Sequence, residues 1–199
     1  MRYTLVTLMA AILMPLALWA GPQTAVFQQV EGRVQVVRHG DVKPATAGMV
    51  VGQGDEIRCE SGSARVILKS DAGHEIRLKG KTRIGLKRFT KDKESHQTLI
   101  DLIQGKIWMA VAKLRTPSST FEVNAGGVIC GVRGTQFDAQ FDGNKQKGRF
   151  GNHEGRVAFT DHMKMTMEVP LKHYCNFKNG VYTDTRPMDH GDLTEFNWK

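Results

Sequence analysis

Phe121–Phe141 reads FEVNAGGVICGVRGTQFDAQF, and its centre, Gly131-Val132-Arg133-Gly134-Thr135-Gln136-Phe137, decides the fold. On both sides apolar residues alternate with more polar ones, the period-two mark of half-buried strands. Between them an arginine is held by two glycines, so the chain bends there and keeps one cationic side chain at the bend. Gly131, Arg133, Gly134 and Thr135 are therefore expected to form a structural turn.

Outward from this segment the same period continues. Val34/Val36, Val66/Leu68, Ile76/Leu78 and Val157/Phe159 each alternate with polar neighbours. Turn signals separate the runs: His39-Gly40-Asp41, Asp71-Ala72-Gly73, Asp142-Gly143-Asn144 and Asn179-Gly180. Asn-Gly supplies the positive φ angles of a type I′ turn, which predicts a hairpin over Tyr174–Thr183. No amphipathic helical stretch follows residue 20, and the 21 glycines suit many tight corners. The fold class is all-β, an irregular solenoid-like or sandwich-like stack of short strands with glycine turns.

A weak echo supports the corners. Glu31-Gly32-Arg33-Val34 matches Glu154-Gly155-Arg156-Val157, and Gln104-Gly105-Lys106-Ile107 follows the same scheme. The spacings are unequal, so this is no regular repeat array. It reads as three similar glycine corners, each followed by a strand entering the core.

The N-terminus carries Arg2, an apolar run from Leu5 to Trp19, and small residues at Ala20 and Gly21. That is the layout of a secretory signal peptide, cleaved after Ala20. The run is shorter than the roughly 20 residues of a spanning helix, and Pro15 interrupts it. No cysteine near the exit marks a lipoprotein, and no later stretch could span a membrane as a helix. Export to the periplasm or beyond is expected, with 1–20 as signal, 21–160 as a β domain and 161–199 as a C-terminal hairpin extension and tail. In an oxidising compartment Cys59, Cys130 and Cys175 allow three disulfide pairings with one thiol left over. They read equally as small buried apolar residues.

The order of short motifs resembles the FecR-domain family of the bacterial cell envelope. Gly54-Asp55-Glu56-Ile57 resembles its GDxI turn, and Ser61-Gly62-Ser63-Ala64 with Val66 and Leu68 its next strand. Gly73 with Ile76 and Leu78 is similar to the following strand, and Leu102 with Gly105-Lys106-Ile107 to its L-x-x-GK element. Gly131 to Phe137 carries the GVRGT signature, and Gly155-Arg156-Val157 resembles the closing strand, so the resemblance runs from about residue 30 to 160. It implies a non-catalytic binding or scaffold module. Regulatory members have a cytoplasmic segment that handles a sigma factor, then a membrane helix. Here a signal peptide opens the sequence, so the expectation is no direct sigma-factor role.

Arg133 is expected to brace its turn, through backbone carbonyls or a carboxylate such as Asp55, because its planar fork binds bidentately and stays charged. Asp55, after Gly54, is expected to cap a turn. Charge points elsewhere for function. The whole chain carries +8, and without residues 1–20 it has 27 Lys and Arg against 20 acids, or +7. Arg58 to Lys93 alone accounts for +7, with 11 cations against Glu60, Asp71, Glu75 and Asp92. Arg77, Lys79, Lys81 and Arg83 occupy alternate positions, which on one extended strand would put four cations on one face. Such a strand either blunts edge pairing with charge or offers a landing surface to an anionic partner: an acidic envelope protein, a polysaccharide or lipid headgroups. Nucleic acid is disfavoured by export and by the lack of interleaved aromatics.

Catalytic patterns are weak. Cys130, His74 and Arg149 or Arg133 are the residue types of a sortase-like, cysteine-dependent envelope enzyme, but Cys130 sits in a glycine-bounded packing run. His74-Glu75-Ile76-Arg77-Leu78 starts like HExxH and puts Leu78 where the second ligand belongs. Asp161-His162, His173/Cys175 and Asp189-His190 lack metal-site spacing. No nucleotide or cofactor motif occurs, so no catalytic residue, metal or cofactor is expected, and no motif specifies an oligomeric state. Met163, Met165 and Met167 alternate and are expected on an inward strand face. Phe196 and Trp198 are expected to pack back on the domain. An alternative function is a periplasmic signalling component that contacts a membrane sensor.

Overall fold

The computed structural model describes residues 24–68, 73–91, 95–114, 116–189 and 191. The signal segment, the Asp71-Ala72 pair and the aromatic tail lie outside them. Among these residues fourteen strands follow in order: β1 (Thr24–Arg38), β2 (Asp41–Pro44), β3 (Val50–Gly52), β4 (Glu56–Leu68), β5 (His74–Lys91), β6 (His96–Val111), β7 (Thr120–Ala125), β8 (Val128–Val132), β9 (Thr135–Asp142), β10 (Lys147–Glu154), β11 (Val157–Thr160), β12 (Thr166–Val169), β13 (His173–Lys178) and β14 (Val181–Pro187). The protein is all-β.

All the strands belong to one hydrogen-bonded sheet. Four of them, β1, β4, β5 and β6, are long (13 to 18 residues) and bend in the middle. Their bends coincide, so the sheet folds over along a shared crease. The first layer contains β3, residues 24–31 of β1, 63–68 of β4, 74–79 of β5 and 105–111 of β6, then β9, β10, β13 and β14. The second contains β2, residues 34–38 of β1, 56–59 of β4, 82–91 of β5 and 96–104 of β6, then β7, β8, β11 and β12. The layering is sandwich-like, made by bending rather than by separate sheets. All pairings are antiparallel except β6 with β7.

Alternation explains the closure. Phe27, Val66, Ile76, Met109, Phe137 and Phe150 from the first layer are buried with Val34, Ile57, Ile84, Val123, Cys130 and Phe159 from the second. They form one core. Phe150 of β10 faces Phe159 of β11 across it, with ring centroids 6.0 Å apart. A fully buried aromatic or branched side chain of this kind contributes about 1.5–3 kcal/mol, so each one-residue slip of register would be heavily penalised.

The crease needs glycine where two backbones touch. Gly32 and Gly62 are register partners at φ +78° and +83°, and a Cβ on Gly32 would lie 2.5 Å from the Ser61 carbonyl oxygen. β13 and β14 join through Asn179 (φ +50°) and Gly180 (φ +76°), the two left-handed positions of a type I′ hairpin. β13 pairs with β10, which places residues 173–187 inside the first layer.

Candidate functional site

The crease also positions the basic residues. In β5 the pairing to β4 skips from Thr82 to Lys79, and Gly80 and Lys81 bulge out with φ +42° and +20°. The four alternating cations therefore do not share one flat face. Arg77 and Lys79 lie in the first layer, Arg83 in the second and Lys81 on the crease between them. The break arises because the sheet folds where period-two reading assumes a straight strand.

Carboxylates hold some of these cations. Glu75 accepts from both Arg65 (2.7 Å) and Arg77, and Arg77 also lies over the Trp108 ring at 4.6 Å. Across the crease Glu56 accepts from Arg58 (2.6 Å) and Arg83 (3.0 Å). Burial by itself would raise the pKa of both glutamates, but the arginine hydrogen bonds and fields outweigh it and hold the carboxyls below their usual range. Each glutamate thus serves two arginines and leaves a net positive charge. Lys79 and Lys81 are exposed, and among the described residues no ion pair reaches either. Beside them opens a cleft of about 480 Å³ lined by Arg58, Cys59, Glu60, Lys81, Arg83 and Gln104.

The Gly131–Thr135 segment is a second crossing, from β8 in the second layer to β9 in the first. Gly134 has φ +70°, and a Cβ on Gly155, which begins the return crossing, would lie 2.5 Å from the Gly134 carbonyl oxygen. Gly131 has no positive φ and open space where a Cβ would go, so the backbone there does not demand glycine. Arg133 is exposed and its Nη2 donates to the carbonyls of Leu114 and Thr116, both at 3.2 Å. Thr135 is buried, and its hydroxyl has no hydrogen-bond partner among the described residues. Asp55 is not near this pairing. Its carboxylate accepts from Arg38 Nε (2.8 Å), Arg38 Nη2 (2.6 Å) and the Gly52 N–H (2.9 Å). Burial pushes the Asp55 carboxyl up, and those bonds together with the charges of Arg38 and His39 more than reverse it, so its pKa is lowered.

A family model described as FecR protein matches residues 55–158, just over half of the chain. The chain belongs to the FecR protein family. Two solved structures of candidate anti-sigma factors from Parabacteroides distasonis share its fold, with TM-score 0.54 in both, at 18% and 16% identity. Each alignment covers 70% of this chain and 62% of the other, so the chain spans less than two thirds of those proteins. No curated protein matches it.

In this FecR-family chain the cleft and the Gly131–Thr135 crossing fall inside the matched segment, and the β1 side of the crease precedes it. The residues of the cysteine-enzyme alternative sit in settings of other kinds. Cys130 is wholly buried and burial drives its thiol pKa strongly up. His74 is also buried, with its Nδ1 accepting the Ala112 N–H (3.1 Å) and its pKa lowered to about 4, by burial first and His96 second. Arg149 instead packs over Tyr174 at 3.9 Å on the first layer. Cys59 and Cys175 are buried too, and all three thiols are free.

The methionine expectation fails. Met163 and Met165 are 67% and 54% exposed, because residues 161–165 form a turn rather than a strand. Asp161 Oδ1 accepts the N–H groups of both methionines (2.9 and 3.0 Å). Only Met167 packs against the core. The period-two reading also missed Glu56 and Glu75 as arginine clamps, although Glu56/Arg58 and Glu75/Arg77 share strand parity. It missed Asp138 as well. This residue is 1% exposed on β9, with His153 at 2.7 Å, and His153 is the extra residue of a β-bulge in β10. No local sequence signal marks that pair.

Proposed function

We propose that this chain is a non-catalytic, exported FecR-type binding module of the cell envelope that engages an anionic partner through the basic crease. The observation that carries the reading is the pair of uncompensated lysines, Lys79 and Lys81, beside the glutamate-clamped arginines Arg77 and Arg83. Cations held in position at a concave surface focus potential and raise the local concentration of an anionic partner. The N-terminal segment Leu5–Trp19 supports export. Among the described residues no helix is long and apolar enough to cross a membrane. Asp55, Gly131, Arg133, Gly134 and Thr135 serve the fold in this reading, not the ligand.

Retention on envelope fractions and on vesicles containing an anionic lipid tests it. Wild type should be released by salt, and replacing Arg77, Lys79, Lys81 and Arg83 together by Gln should abolish retention in low salt. Unchanged retention of the folded quadruple variant would sink the reading.

A second reading rests on the fold shared with the two candidate anti-sigma factors. It makes the chain a component of an envelope signalling system whose partner is a protein, a membrane-bound sensor. Cross-linking in intact envelope separates the two, since a single protein adduct formed independently of salt favours the signalling component.

A further inference from the structure

We infer that the crease cleft is a built oxyanion site for a phosphate or phosphomonoester group. This rests on the reading of the crease as the anionic-partner surface and gives that partner a chemistry. The cleft is bounded by the two bulges of the crease, Glu60–Gly62 of β4 and Gly80–Lys81 of β5, with Gln104 of β6 closing one side. Its volume of about 480 Å³ exceeds what a single phosphate needs and leaves space for the group that carries it.

Four donors line it. Arg58 and Arg83 each give Nε to Glu56, with Arg83 Nη2 3.0 Å from the same oxygen in the ion pair, so the remaining N–H groups of both forks are not used by that carboxylate. Gln104 Oε1 accepts the Gly143 N–H at 2.8 Å, which fixes the carboxamide with its NH2 end away from that bond. Lys81 adds an exposed ammonium. Glu60, the one acid in the lining, is taken by Arg33 at 3.1 Å. With Glu56 counted, two carboxylates face four cations (Arg33, Arg58, Lys81 and Arg83), and the site stays positive.

The backbone supplies an independent mark. Lys81 has φ +20° in the middle of a β-strand, a conformation that costs a non-glycine residue free energy and that concentrates at functional sites. Glycine at 81 would hold the same bulge without strain. A lysine there places an ammonium at the cleft mouth. Two planar forks, an ammonium and an amide offer more donors than a two-oxygen carboxylate can accept, and they suit a tetrahedral group with three terminal oxygens.

Lys81→Gly is the decisive variant, since it keeps the bulge, relieves the strain and removes the ammonium. Inorganic phosphate titrated into 15N-labelled protein at constant ionic strength should give saturable shifts at the amides of Gly80, Lys81 and Gln104. Lys81→Gly and Arg83→Gln should each weaken that binding by at least about tenfold, the scale of one charge-assisted hydrogen bond, and Lys81→Gly should melt no lower than wild type. Shifts that never saturate, or that survive both substitutions, overturn the site.

Vesicles distinguish the source of the phosphate. Stronger retention on phosphatidate than on phosphatidylglycerol at matched surface charge supports a lipid headgroup, whereas saturable phosphate binding without that preference supports a soluble phosphomonoester. If the quadruple Gln variant loses envelope retention while phosphate never saturates wild type, the basic surface stands and the phosphate site falls.

Discussion

Gly32 of β1 and Gly62 of β4 sit opposite each other on the crease, both at positive φ, with the Gly62 Cα 2.9 Å from where a Gly32 Cβ would lie. Neither backbone can retreat, because each continues into both layers. Gly32→Ala and Gly62→Ala should therefore each cost more than the roughly 1 kcal/mol of a simple positive-φ substitution, on the order of 3 kcal/mol. Gly48→Ala is the control, with φ +83° and nothing within 4 Å of its Cβ position. Urea unfolding of the three variants checks this. Equal losses at all three would mean that backbone approach does not set the crease.

Arg133 joins the crossing to the preceding loop through the carbonyls of Leu114 and Thr116. Both bonds leave the one nitrogen Nη2, and lysine keeps the charge but ends one bond short of that position. Arg133→Lys should lower stability by about 1 kcal/mol, the usual scale for such hydrogen bonds at an exposed position. Gly131→Ala, in open space at an ordinary φ, should change it by less than about 0.5 kcal/mol. A thermal melt in which the glycine variant suffers more than the arginine variant would reverse the roles assigned to the two residues.

Thr135 buries a hydroxyl that finds no partner among the described residues, while its methyl carbon packs where a Gly155 Cβ would go. Thr135→Val keeps the shape and removes the unsatisfied group, so stability should rise by about 1 kcal/mol. Thr135→Ser keeps the hydroxyl, loses the methyl and should fall by about as much. A destabilised valine variant would show that the hydroxyl is bonded in solution.

What the sequence revealed and what it hid divide along one physical line. Alternation marks a buried face wherever a strand is straight, and Val34/Val36, Ile76/Leu78 and Phe121/Val123 are all buried. The echo of Gly32, Gly105 and Gly155 marked places where the chain changes layer, because glycine is required wherever two backbones meet at positive φ. Layering itself was not legible. That β5 folds at Gly80–Lys81, separating Arg77 from Arg83, depends on bends in β4 and β6 that no local pattern of β5 contains. Met163 and Met165 misled for a related reason: alternation also arises in a turn, and only the buried Asp161 carboxylate tells the two apart. The Asp138–His153 pair depends on a bulge in a neighbouring strand and leaves no trace in composition.

All three thiols are buried, and burial raises the pKa of each. Since the thiolate is the reactive form, a disulfide-exchange probe at neutral pH should label no cysteine in the folded, reduced protein and three in urea. At fixed pH the labelling rate should follow unfolding. Fast reaction of Cys130 alone in the native state would restore the cysteine-enzyme alternative.

His74 gives the fold a pH dependence in a defined window. It is buried, edge-on to Phe121 at 5.2 Å, and its Nδ1 must be unprotonated to accept the Ala112 N–H. Its native pKa is about 4 against 6.5 when exposed, so between those values the unfolded chain binds a proton that the native state refuses. The sign follows directly: the stabilisation is complete above pH 6.5 and is lost as pH falls toward 4, with a slope approaching about 1.4 kcal/mol per unit. His74→Asn retains an acceptor near Nδ1 and cannot titrate. Its stability should be lower at pH 7, from the lost ring packing, and nearly flat between pH 6.5 and 4.5, where wild type declines. Below about pH 4.5 both proteins should weaken together, because the unfolded chain's Asp55, Glu56 and Glu75 take up protons there while the native carboxyls, with lowered pKa values, still refuse them. Urea midpoints measured at half-unit intervals separate the two regimes. A wild-type profile that stays flat down to pH 4.5 would show that the imidazole is not held neutral by burial.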